Sequence, residues 1–79
     1  MKTAKEMFEE MDFEQTIYKN VISYEFEKFD GIYNWKLICF DLMFKTFYID
    51  AKYEPTSIDV KTFKAIYKQC EELGWLNEE

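Results

Sequence analysis

Two segments of helical period bracket a segment of strand period, and this double switch leaves few folds open to the chain. Thr3-Ala4-Lys5-Glu6 has the form of a capping box, in which Thr3 caps a helix and Glu6 bonds back to the cap. Ala4, Met7, Phe8 and Met11 then recur at helical spacing, which predicts a helix from Ala4 to about Met11, ended by Asp12. From Phe13 to Tyr53, β-branched and aromatic residues dominate. Breaks at Lys19-Asn20, Asp30-Gly31 and Leu42–Lys45 divide this stretch into strands near Gln15–Tyr18, Val21–Phe29, Asn34–Asp41 and Thr46–Tyr53. The last two form a hairpin.

Pro55-Thr56-Ser57 stops the sheet, and Asp59 is a good N-cap for a second helix beginning at Val60. Ile58 and Phe63 fit a hydrophobic staple across that start. Phe63, Ile66, Tyr67, Cys70 and Leu73 supply its apolar face. Gly74 is placed to take a left-handed conformation after the last turn, with Trp75 folding back toward Cys70 and Leu76 extending that contact. Asn77-Glu78-Glu79 is expected to fray.

The expected fold is therefore α+β: an antiparallel meander of three to four strands flanked by an N-terminal and a C-terminal helix. The helix charges favour four strands. Lys2 and Lys5 open the first helix and Glu9 and Glu10 close it; Lys61 and Lys64 open the second, and Glu71 and Glu72 close it. Each helix opposes its own dipole, at a cost of a few tenths of a kcal/mol per charge. Antiparallel neighbours would set the Lys end of one against the Glu end of the other, and an even number of meander strands gives that orientation.

With 79 residues, the chain forms one domain, 1–79, near the lower size limit for an unaided core. Aromatic bulk compensates, since eight Phe, six Tyr and two Trp make up 20% of the residues. Cys39 and Cys70 belong to no metal-ligand cluster and read as buried, reduced thiols. No segment reaches the ~20 apolar residues of a membrane helix, and the start has no apolar signal region. A cytoplasmic protein without membrane contact is expected.

Ten positive charges, all Lys, stand against sixteen negative ones. Without Arg the chain lacks the bidentate fork that reads guanine edges and phosphates, which argues against direct nucleic-acid binding. Without His it has no Ser-His-Asp or Cys-His arrangement and no histidine metal site. The two glycines, Gly31 and Gly74, form no phosphate loop. No cofactor is expected. Asp41 with Asp50-Ala51-Lys52 echoes the Mg²⁺-binding arrangement of one nuclease class, but the motif is short and chance-prone, and the solvated-charge reading is preferred.

Two surfaces are left as candidates for a protein partner. The first is the acidic run Glu6, Glu9, Glu10, Asp12 and Glu14, able to imitate nucleic-acid phosphates against a basic groove. The second is the sheet face turned away from the helices. Alternation puts Trp35, Leu37 and Cys39 on one face of their strand and Lys36, Ile38 and Phe40 on the other; Phe47, Ile49 and Ala51 oppose Thr46, Tyr48, Asp50 and Lys52. The purely apolar sets are expected beneath the helices. That would leave Ile38, Phe40 and Tyr48, with Tyr18, on the open face. Such a face could bind a foreign protein or make a homodimer.

The ends of the chain, Met1–Glu10 (MKTAKEMFEE) and Lys64–Trp75 (KAIYKQCEELGW), resemble short uncharacterised proteins of phages and mobile elements of low-GC Gram-positive bacteria. Those proteins usually place Gly just after the first helix, where this chain has Asp12. The resemblance implies no activity of its own. By context it suggests a phage-borne inhibitor of host defence, of the kind that includes anti-CRISPR proteins.

Overall fold

The structure is a computed structural model and describes residues 1–77. The chain order is α1 (Ala4–Glu9), β1 (Glu14–Tyr18), β2 (Val21–Phe29), β3 (Tyr33–Asp41), β4 (Thr46–Ala51) and α2 (Val60–Glu72), followed by a 3₁₀ turn at Trp75–Asn77. The strands form one antiparallel meander in the order β1-β2-β3-β4, the four-strand form of the expected α+β fold. No helix is long and apolar enough to cross a membrane among the described residues.

Both helix starts follow the caps read from the sequence. Thr3 Oγ1 accepts from the Glu6 N–H at 3.1 Å, while the Thr3 N–H donates to Glu6 Oε1 at 2.9 Å. Asp59 accepts from the Thr62 N–H at 2.8 Å, and hydrogen bonding by the Thr62 side chain, then by its N–H, holds the Asp59 carboxyl below the usual range. Helix α1 is shorter than its apolar stripe predicts. It closes through bonds from Met11 to Phe8 and from Asp12 to Glu9, and Asp12 turns the chain at φ 70°. Gly74 takes φ 79° after α2, and Trp75 returns to lie 6.2 Å from the Phe40 ring. Leu76 stays exposed, and Glu78 and Glu79, expected to fray, lie outside the described residues.

The helices are antiparallel. The Ala4 N–H, in the first turn of α1, donates to Glu72 Oε2 at the end of α2, 2.8 Å away. At the other end, Thr62 Oγ1 lies 3.7 Å from Met11 Sδ. The expected exchange of charges is made by Glu72 alone in these contacts, and it meets the backbone of α1 rather than a lysine. Lys2 and Lys5 instead pair with Glu10 and Glu9 of the same N-terminal segment.

Both helices cover one face of the sheet. Phe8, Ile66 and Cys70 pack there on Ile22, Tyr24, Ile38 and Phe40, with Phe8 stacked on Tyr24 at 3.9 Å between centroids. Ala4 and Ala65 are fully buried, small enough to let the helices approach closely. Helix α2 is rotated relative to the face read from its large apolar residues. Thr62, Ala65 and Gln69 turn inward with Ile66 and Cys70, while Phe63 and Tyr67 stand outside at 55% and 52% exposure. Ile58 is likewise exposed, so the predicted staple with Phe63 makes no buried contact. Both cysteines are free and buried.

Candidate partner-binding face

The register of the sheet decides which side chains the open face carries. Tyr24 and Ile22 of β2 are buried beneath the helices, so Val21, Ser23, Glu25 and Glu27 point the other way. Ser23 faces Cys39, Glu25 faces Leu37 and Glu27 faces Trp35. On β4, Tyr48 faces Cys39 and Asp50 faces Leu37. From β1, Glu14 lies opposite Glu25. The open face is thus built on Trp35, Leu37 and Cys39, with Tyr18 and Tyr48 toward its edges.

This reverses the expectation for β3. Ile38 and Phe40 are 1% and 0% exposed, in the core beneath the helices, and cannot meet a partner in the folded chain. They share the helix-side face with Phe47 and Ile49, as the pairs Phe40–Phe47 and Ile38–Ile49 show. Lys36 belongs to that side without entering the core, because it lies farther out on β3, over the Phe26 ring at 5.9 Å. Tyr48 and Tyr18 are on the open face and exposed, as expected. Burial was absent from the pattern of β3 itself, but the alternation of β2 carried it across the tight Asp30–Ile32 loop.

The acidic run of the N-terminal segment is divided by its own contacts. Glu6 is held by the capping box, Glu9 accepts from Lys5 at 2.6 Å and Glu10 pairs with Lys2 at 2.5 Å. Asp12 and Glu14 lie apart from these, at the sheet, where they join Glu25 and Glu27 around a concavity of about 420 Å³. Sequence reading missed Glu25 and Glu27.

Among the described residues, the strand positions of the open face include five carboxylates, Glu14, Glu25, Glu27, Asp41 and Asp50, and no lysine. Two lysines reach its corners from the turns, Lys52 at 5.2 Å over the Tyr33 ring and Lys19 at 5.3 Å over the Tyr18 ring. The Tyr33 hydroxyl donates to Glu27 Oε2 at 2.6 Å, and this bond raises the phenol above its ordinary pKa. Tyr48 is shifted in the same direction by its neighbour Cys39.

Strands β2 and β3 outrun their neighbours. The β1 ladder ends where Glu14 meets Glu25, so residues 27–29 of β2 have no strand on that side. The resulting two-stranded arm carries Phe29 and Ile32 at its tip, 77% and 65% exposed.

The nuclease-like residues do not converge. Asp50 faces Leu37, four positions along β3 from Asp41, which is a separation of about 13 Å. Asp41 Oδ1 instead accepts from the Met43 and Phe44 N–H groups of the turn. Among the described residues, no three His, Cys, Asp or Glu side chains are arranged so that they could hold a metal ion. Compared with known proteins, the chain matches no family model, no curated sequence and no solved structure.

Proposed function

We propose that the protein is a non-catalytic binding protein that docks the open face of its sheet on a basic surface of another protein. The observation that carries this reading is the composition of that face: among the described residues its strand positions carry five carboxylates around Trp35, Leu37 and Tyr48 and no lysine. Aromatic and aliphatic side chains supply contact area, and the surrounding charge selects and steers the partner. A nucleic-acid-binding protein offers the matching basic groove, in keeping with an inhibitor of a host defence protein.

Charge argues against the alternative of a homodimer through the same surface. Two identical copies of this face would bring like charges together as they desolvate. The separation of Asp41 from Asp50 counts against the metal-dependent nuclease alternative.

Affinity capture from a host lysate tests the proposal when wild type is compared with an E25K/E27K variant at low and high salt. The expected result is a basic partner retained by wild type at low salt and lost with the variant. Equal retention by both proteins would refute the sheet face as the working surface.

A further inference from the structure

Where β1 stops and β2 continues, the sheet has a step. Asp12, Glu14, Glu25 and Glu27 stand around it with Tyr33 and Trp35, and Lys36 lies at its margin. Three features of the step restrict what can fill it. Its carboxylates call for positive charge. Its aromatic side chains suit a flat cation, and Tyr33 already holds one cation, Lys52, against its ring. Beyond Glu25, the outer edge of β2 has no ladder partner, so an extended chain can lie along it.

We propose that this step receives an extended, arginine-bearing segment of the partner, with a guanidinium against Trp35 and Tyr33 and bonded to Glu25 or Glu27. The assignment rests on the sheet face being the working surface and names the chemistry of its occupant. Arginine satisfies the step better than lysine, because its planar fork pairs with a carboxylate while its face stacks on a ring. Glu27 is already oriented for such pairing by the Tyr33 hydroxyl, which leaves its other oxygen available. A second copy of the chain cannot supply the group, because the sequence contains no arginine.

Three nine-residue peptides of alternating Thr and a test residue (Arg, Lys or citrulline) would be titrated into the ¹⁵N-labelled protein and followed by NMR. The Arg peptide should shift the Trp35 indole and the amides of Glu25 and Glu27. It should bind about tenfold more tightly than the Lys peptide, and the citrulline peptide should not bind. An E25Q/E27Q variant that keeps the wild-type spectrum elsewhere should lose at least about tenfold in affinity. Equal binding of Arg and Lys peptides on this face would overturn the arginine assignment and leave the basic-partner reading standing. If neither basic peptide perturbs the open face, both fall.

Discussion

The Tyr24 hydroxyl donates to Gln69 Oε1, joining the centre of the sheet to the buried side of α2. Gln15 Nε2 donates to the same hydroxyl at 3.0 Å, so three side chains from β1, β2 and α2 satisfy one another. This contact explains why a glutamine occupies a buried helix position, and it fixes α2 on the sheet in one rotation. Y24F should therefore cost about 1–3 kcal/mol in urea unfolding, because Gln69 loses its donor inside the core. A loss below about 0.5 kcal/mol would mean that the network contributes little.

The same tyrosine gives the fold an alkaline limit. Burial raises the Tyr24 phenol above its ordinary value of 10.0, outweighing the Gln15 bond that lowers it; Glu72 and Glu9 raise it further. A raised phenol retains its proton in the folded state while the unfolded chain has lost its own. Its contribution is complete below pH 10 and is lost as pH rises through the folded value. Urea midpoints measured from pH 9 upward should fall, and Y24F should flatten part of that fall.

Asp12 offers a test in the stabilising direction. It is held at φ 70°, a region that costs a residue with a Cβ about 1 kcal/mol relative to glycine. D12G should raise stability by about 0.5–1 kcal/mol, read as an upward shift in melting temperature with an unchanged spectrum.

The acidic side chains at the two ends of α2 contribute unequally: Asp59 caps α2 itself, and Glu72 accepts from the first turn of α1. D59A should cost about 1 kcal/mol by releasing the Thr62 N–H. The lowered Asp59 carboxyl stabilises the fold above its ordinary value of 3.8, and that part is lost as pH falls through the folded value. E72Q should cost less, about 0.3–1 kcal/mol, since an amide oxygen can still accept from Ala4. Thermal unfolding at pH 7 and at pH 3 separates the two.

Much of this architecture was legible from local chemistry. Thr3, Asp59 and Gly74 each sit where a particular backbone hydrogen bond or dihedral demands them, and the strand breaks were turn chemistry of the same local kind. What was not legible depended on contacts between distant elements. Phe63 and Tyr67 are the bulkier apolar residues of α2, yet they stand exposed while Ala65 is fully buried on the side that packs on α1 and the sheet. Side-chain hydrophobicity does not encode how closely two helices approach. On β3, both faces are apolar enough to be core, and only pairing with β2 and β4 shows that Ile38 and Phe40 lie inward while Trp35 and Leu37 line the open side. The acidic site escaped notice for the same reason, since Glu14, Glu25 and Asp50 come from three strands and meet only through the register.

The working surface is tested most directly by hydrogen–deuterium exchange on the protein bound to its captured basic partner. Slowed exchange should concentrate in residues 25–37, across the arm and the step beside β1, and weaken together with binding as salt is raised. Protection confined to α1, or to Lys61–Lys68 on the outer side of α2, with the arm unchanged, would contradict the assignment of the sheet face.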